Sequence, residues 1–401
     1  MSIQGNKGKP ICFLMEDFYP HINGSVIQVL LLGKEFIRLG SKAIVITRKS
    51  GVERTYANNI RGIDVFRVKP DITPGRYTKF LMILPAFYKL FQQRKKYSAI
   101  IVCDFKVLGI VGVISAFFLR KKCYLRAESC GEMDGSFTTT FDSSVSNVKN
   151  ILVKTLVWLR NIILLKADGF LSISSVITTE YLASGVNKDK IISITNGIDV
   201  EKFKPVSDKN KTILKKQLNL VDKKYFIYSG RLTKGKGLEY LIRAWRNIVE
   251  EFPQAHLILI GSGKGYSLDI GNELKRYCRE NHLEATVTFT GNINNVHEYL
   301  QAGDCFLLPS QTESLSISLI EALSCELPCI ATGVGGILDY VEDNINGLLV
   351  PYGNEAALYK TMKEVLVNKE KAQQLGREGR KTVLRKFDIN HISKQYMSLI
   401  N

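Results

Sequence analysis

Histidine is scarce in this 401-residue chain; there are five, and none are spaced as metal ligands. The eight cysteines form no Cys-x-x-Cys pair, and most sit in apolar runs. They read as buried thiols of a reducing compartment, which excludes a disulfide framework and a zinc site. No segment repeats at a fixed period, which excludes a solenoid. The longest apolar run, 107–119, is too short to cross a bilayer. Residues 1–10 are polar and lack the hydrophobic centre of a signal peptide. The expectation is a cytoplasmic protein, soluble or peripheral at the inner membrane face. Acidic residues are also short, 38 against 55 Lys and Arg, for a formal net charge of +17. Such an excess points to an anionic partner: phosphorylated substrates, an anionic membrane surface or nucleic acid. No motif for reading DNA or RNA is present, so nucleic acid is not expected.

What is present is ordinary for a globular protein, with 45% hydrophobic and 23% charged residues. The length predicts two domains. Short β-branched runs alternate with helical-period segments. Strands are predicted at 10–15, 42–47, 64–68, 99–103, 123–125 and 169–172, with helices at 26–39, 78–94, 107–119, 148–166 and 174–184. The second half repeats the pattern, with strands at 225–229, 256–260, 286–290, 305–309 and 328–332. Helices there are predicted at 237–251, 268–281, 295–301, 316–324 and 355–368. The alternation implies parallel strands with right-handed helical crossovers. Residues 195–208, rich in Asn, Gly, Asp, Pro and Lys, read as the connection between domains at 1–196 and 197–387. Two segments stand apart. Residues 129–147 are dense in Ser, Thr and Gly and read as a long mobile loop. Residues 76–97 alternate large apolar residues with Arg and Lys, either as a membrane-surface helix or as a core helix with a solvated basic edge.

The chemistry concentrates at strand-to-helix turns, where ligands bind parallel sheets. After strand 305–309, Glu313 lies in a turn and Glu321 a little over two turns along the helix that follows. Their carboxylates are acceptors for sugar or ribose hydroxyls. The N–H groups of Ser314, Leu315 and Ser316 at the helix start suit an anion. Strand 225–229 runs into Gly230-Arg231-Leu232-Thr233-Lys234-Gly235-Lys236-Gly237. There the glycines permit close backbone approach, Arg231 offers a planar fork for phosphate oxygens, and Lys236 adds a point charge. Gly24, between the first strand and first helix, is a third backbone position open to a diphosphate. Gly261-Ser262-Gly263 lacks the full dinucleotide spacing and is not an NAD site.

The stretch from Glu313 through Glu321 to Pro328 and Ala331 resembles the Glu-x7-Glu signature of the retaining glycosyltransferases of family 4, which have the GT-B fold. Phe18 to Gly24, Asn196 to Asp199, Gly230-Arg231 to Lys236-Gly237, Phe289 to Gly291 and Ala302 to Ser310 are similar to the same family, in its order along the chain. The resemblance implies two Rossmann-like parallel-sheet domains facing across a cleft, an acceptor domain first and a nucleotide-sugar domain second. A terminal helix, 388–401, returns to the first. It implies that Arg231 and Lys236 neutralise the leaving diphosphate, that Glu321 holds the nucleotide ribose, and that Glu313 lies near the donor sugar. Gly24 then covers the phosphates, and Gly335 and Gly336 form the turn after the signature. Two departures bear on specificity. Family members carry glycines flanking an aromatic or similar residue after the first glutamate, where this chain has Ser314, Leu315 and Ser316. Where the family often carries a first-domain histidine, this chain has Arg126 to Glu132, which makes Arg126, Glu128 and Glu132 the acceptor-side candidates.

The expected reaction passes a sugar from a nucleotide-diphosphate sugar to a glycan, lipid-linked or small-molecule acceptor, with retention, in polysaccharide or glycolipid synthesis. Uridine is the family's commoner base, with guanosine also open. No Asp-x-Asp motif occurs, so neither metal nor cofactor is needed to explain the charge. The rival readings are a GT-B-like nucleotide-sugar epimerase and a non-catalytic nucleotide-sugar-binding protein.

Overall fold

Helix and strand alternate along the chain as the sequence predicts. The computed structural model describes residues 10–49, 58–71, 78–136, 147–220, 223–266 and 268–400. Its backbone contacts divide into two compact units, 1–197 with 389–401, and 198–388. Each is an α/β unit on a parallel sheet, the fold class expected from the sequence.

The first unit holds β1 (Ile11–Leu14), β2 (Ala43–Lys49), β3 (Asn59–Ile60), β4 (Ile63–Asp71), β5 (Ala99–Cys103), β6 (Lys122–Arg126), β7 (Gly169–Ser172) and β8 (Ile191–Ser193). Their order is β3-β4-β2-β1-β5-β6-β7-β8, parallel apart from the β3–β4 hairpin. β1, β5 and β7 are buried along their whole length, which their near-continuous apolar runs require in a sheet covered on both faces. The order reverses between β1 and β5, so the loops leaving those strands diverge there. Helix Gly24–Arg38 opens on Asn23, whose side chain accepts from the Val26 N–H at 3.0 Å. The single helix expected at 78–94 is two, Thr78–Leu81 and Ile83–Gln92. Pro85 explains the break: it has no N–H for the Leu81 carbonyl, and so it occupies the first turn of a new helix. The terminal helix Ile389–Ser398 packs on Gly24–Arg38, where Arg38 donates to Asn390 at 2.6 Å.

The second unit holds β9 (Lys224–Ser229), β10 (Ala255–Ile260), β11 (Val287–Gly291), β12 (Cys305–Leu308), β13 (Cys329–Thr332) and β14 (Leu348–Val350). The order is β11-β10-β9-β12-β13-β14, all parallel, with the reversal between β9 and β12. Asp304 ties these two strands together: its carboxylate accepts from the Tyr225 N–H at 2.9 Å and from Lys211 at 2.9 Å.

Two helices escape the sequence pattern. Asp208–Gln217 buries no residue and so shows no apolar stripe. Lys369–Lys386 buries Ala372, Gly376, Gly379 and Thr382 beside Leu375 and Val383, so small residues occupy much of its inner face. A Cβ on Gly376 would lie 2.0 Å from the Glu326 carbonyl oxygen. Helix propensity alone favours Ala over Gly by about 1 kcal/mol. Gly376→Ala is nonetheless expected to destabilise the second unit by roughly 1–3 kcal/mol through overpacking. Urea unfolding checks the sign: a more stable variant would show that the helix shifts freely.

Candidate functional site

The loops leaving β9, β12 and β13 meet at the carboxyl edge of the second unit's sheet, beside its reversal point. Two glycines set how closely they pack. Gly237 has φ +68°, and a Cβ there would stand 1.9 Å from the Pro309 carbonyl oxygen. Gly335 has φ +55°, and its Cβ would stand 2.0 Å from the Glu313 carbonyl oxygen. The Gln311 N–H donates to the Gly235 carbonyl at 2.8 Å, and the Gly336 N–H to that of Glu313 at 3.0 Å. The segment 309–313 is thus gripped between the basic turn on one side and the Gly335-Gly336 turn on the other.

This grip brings the Lys236 ammonium to 2.7 Å from the Glu313 carboxylate, both side chains being mostly buried. The two residues assigned to separate tasks by the sequence are direct partners. Arg231 is exposed, with its guanidinium 5.1 Å from the centre of the Tyr266 ring. The Tyr228 hydroxyl donates to the Arg231 carbonyl at 2.8 Å and fixes its backbone. Tyr266 is a neighbour that the sequence does not reveal, because only the packing of the β10 loop on the β9 loop supplies it. Lys234 N–H to Leu268 carbonyl and Ile270 N–H to Leu232 carbonyl, at 2.9 and 3.0 Å, hold these loops together.

The helix after Glu313 begins at Ile317, later than the predicted start at 316. Ser316 is its cap, and its hydroxyl accepts from the Leu319 N–H at 3.4 Å. Ser314 and Leu315 lie in the loop before the helix, so the first-turn N–H groups belong to Ile317 and Ser318. Glu321 is on the second turn, and among the described residues it makes no side-chain hydrogen bond. Burial pushes its carboxyl up to about 8, against the pull of Lys202.

In the first unit, Gly24 is exposed at the start of its helix. A small cavity of about 50 Å³ lies between the ends of β1 and β5, lined in part by Glu16, Asp17, Asn23, Ser25 and Asp104. Asp104 has φ +53°, a left-handed conformation uncommon outside glycine, Asn and Asp. The three acceptor-side candidates lie together and bond to one another. Arg126 is buried and donates to the carboxylate of Glu128 and the amide oxygen of Asn196. Glu132 is fully buried, with its carboxylate accepting from the N–H groups of Phe105, Glu128 and Ser129 at 3.0, 2.7 and 3.0 Å. Its acceptor capacity serves the loop itself; burial and neighbouring Asp104 push its carboxyl above the usual carboxylate range. Glu180 does similar work, accepting from Gly131 and Met133 at 2.7 and 2.6 Å. Residues 129–136 of the expected long loop are therefore built around two carboxylates, and 137–146 lie outside the described residues. Among the described residues no three His, Cys, Asp or Glu side chains are grouped to hold a metal.

Comparison with known proteins bears on the family and the fold. The family model described as Glycosyltransferase Family 4 matches residues 22–202, and Glycosyl transferases group 1 matches 210–382. Matched in succession, the two take in most of the chain, which belongs to the family 4 type of GT-B glycosyltransferases. The chain is 29% identical over 214 residues to N-acetyl-alpha-D-glucosaminyl L-malate synthase of Bacillus anthracis, covering 53% of this chain and 54% of that protein. The matched segment spans about half the length of this and similar curated relatives. The capsular polysaccharide biosynthesis glycosyltransferase CapM of Staphylococcus aureus is 26% identical, with 92% of each chain covered. Among solved structures, Anabaena Alr3699/HepE in complex with UDP-glucose shares the fold with a TM-score of 0.77, at 21% identity over 98% of this chain and 99% of that one.

The Glu321 carboxyl provides a test of the site's electrostatics. Its ordinary value of 4.5 applies to the unfolded chain, against about 8 when folded. Between these values the folded state holds more protons, so this group's contribution to stability falls as pH rises through the window. Glu321→Gln keeps the neutral form at every pH. Its melting temperature relative to the parent should rise from pH 4.5 to 8, by on the order of 2–4 °C for each kcal/mol relieved. A gap that stays flat in thermal unfolding across this range would show that the carboxyl ionises normally.

Proposed function

We propose that this protein transfers a sugar from a nucleoside diphosphate sugar to a hydroxyl of a glycan or lipid-linked acceptor, with retention of anomeric configuration. The observation that carries the reading is the Lys236–Glu313 pair at 2.7 Å, whose lysine shares its turn with the exposed Arg231 and whose glutamate lies on the loop that leads into helix Ile317–Ser324. Negative charge grows on the diphosphate as the bond from the anomeric carbon to its oxygen breaks. The arriving phosphate exchanges Glu313 for its own oxygen at Lys236, and Glu313 turns to the hydroxyls of the sugar. Arg231 and the first-turn N–H groups take the remaining charge. The acceptor oxygen forms the new bond on the face the diphosphate leaves, and its proton passes to a phosphate oxygen. Glu321 bonds the ribose hydroxyls, for which its carboxyl, free of other side-chain hydrogen bonds among the described residues, is suited.

Uridine is the proposed base, a choice supported by the complexes of Alr3699/HepE with UDP and UDP-glucose. The relation to CapM supports a role in cell-surface polysaccharide assembly. The eight free cysteines support a reducing, cytoplasmic setting. In this reading the two cations and the helix start balance the charge without a metal or a cofactor.

Thermal-shift measurement against a panel of nucleotide sugars tests the donor class. A uridine diphosphate sugar at a hundred times its dissociation constant should add about 2.7 kcal/mol of apparent stability. Lys236→Ala should lower the transfer rate by about a hundredfold or more. Turnover near the parent's would remove Lys236 from the mechanism, and epimerisation of donor without acceptor would replace the reaction.

A further inference from the structure

Three helices of the first unit are apolar on the side that faces away from the sheet. Ile83–Gln92, Phe105–Leu119 and Asn147–Leu164 follow β4, β5 and β6 as the chain moves in one direction across the sheet. Right-handed crossovers place them on one face, and they pack side by side there. In Ile83–Gln92, Ala86 and Leu90 are buried together with the preceding Met82, while Leu84, Tyr88 and Phe91 form an opposite stripe that is exposed. Leu84 is 79% exposed, Phe117 79% and Trp158 62%. A helix that is apolar all round is normally enclosed on every side.

The charge on this face has one sign. Residues 78–98, 105–122 and 147–166 contain no Asp or Glu. Two basic triplets, Arg94-Lys95-Lys96 and Arg120-Lys121-Lys122, follow the ends of the first two helices. They are held together, since the Lys121 ammonium donates to the Tyr97 carbonyl and lies 4.5 Å from the centre of the Tyr97 ring. Arg94 lies 4.6 Å from the centre of the Phe91 ring. Phe117 and Phe118, in edge contact at 5.6 Å, project immediately before the second triplet.

We infer that this face docks on an anionic lipid bilayer, with Phe117, Phe118, Phe91 and Leu84 entering the acyl boundary and the exposed Arg94, Lys95, Lys96 and Arg120 lying among the headgroups. Exposed aromatic and aliphatic side chains rimmed by Lys and Arg match both layers of such an interface, and the basic stems extend the apolar contact. A second copy of the chain is the wrong occupant, because it would bring like charges together. Among the described residues no helix is long and apolar enough to cross a membrane, so the proposed association is with one leaflet. This contact is separate from the glycosyl-transfer reading.

The test is flotation of the full chain with vesicles of phosphatidylcholine alone and of phosphatidylcholine mixed with phosphatidylglycerol. The chain should float with the mixed vesicles, remain behind with the neutral ones, and release as salt rises. The chain has two tryptophans, Trp158 on this face and Trp245 in the other unit's core, so a blue shift of emission on binding reports Trp158. The double substitution Phe117→Ser with Phe118→Ser, and the replacement of Arg94, Lys95 and Lys96 by Gln, should each weaken binding at least about tenfold. An unchanged melting temperature identifies a folded variant, and Lys236→Ala should float like the parent, which separates docking from transfer. Absence of flotation at low salt, or equal flotation of folded variants, overturns the inference. So does a dimer in light scattering that the Phe double variant abolishes, which would make a second copy the occupant.

Discussion

The close approach of Pro309 and Glu313 to Gly237 and Gly335 is the constraint on which the site depends. Both glycines have positive φ, and a side chain on either would sit inside the van der Waals radius of a carbonyl oxygen. The result is an ion pair between residues 77 apart in the chain. A mostly buried ammonium and carboxylate each need a partner, since an unpaired charge there is strongly destabilising. The pair therefore holds both groups in place, and in the proposed reaction the ligand has to offer each of them an equivalent contact. A phosphate for the lysine and hydroxyls for the glutamate meet that condition.

Topology decides where such contacts arise. In each sheet the strand order reverses once beside the first strand, and the loops on either side diverge to leave room at the carboxyl edge. In the second unit the room is walled by cations and a helix start. In the first unit the corresponding space is lined by Glu16, Asp17 and Asp104, and nearby loops are built on the carboxylates of the buried Glu132 and the half-buried Glu180. Carboxylates that accept backbone N–H groups shape a loop without presenting charge to a ligand. For this reason Glu132, a plausible contact in sequence, is a framework residue in space, whereas Arg126 is tied to Glu128 and Asn196 at the end of β6.

The readable elements were those whose residues are buried in a regular period. β5 and β7 fall at the predicted residues, and the other long strands lie within a few residues of theirs, because buried parallel strands are continuous apolar runs. β3, β8 and β14 have two or three residues and too little pattern to notice. Helix Lys369–Lys386 was hidden by its glycines, which weaken helix propensity while allowing the backbone of Glu326 to approach. The Glu-x7-Glu spacing and the Arg231-to-Lys236 turn were legible as a set, since each lies at a strand end with recognisable turn residues. The start of the helix at Ile317 was not, because Ser316 caps it through a side-chain contact that many serines do not make.

By itself the sequence determined the fold class, with its two α/β units, and the loops that carry charged groups. Periodicity, glycine placement and ordered motifs are local properties, and they survive without coordinates. Only the tertiary structure decided that Lys236 answers Glu313, that Tyr266 lies under Arg231, that Glu132 is used internally, and that three acid-free helices share one outward face. Those are distances between segments remote in the chain, set by crossover handedness and by which backbone atoms leave room for one another.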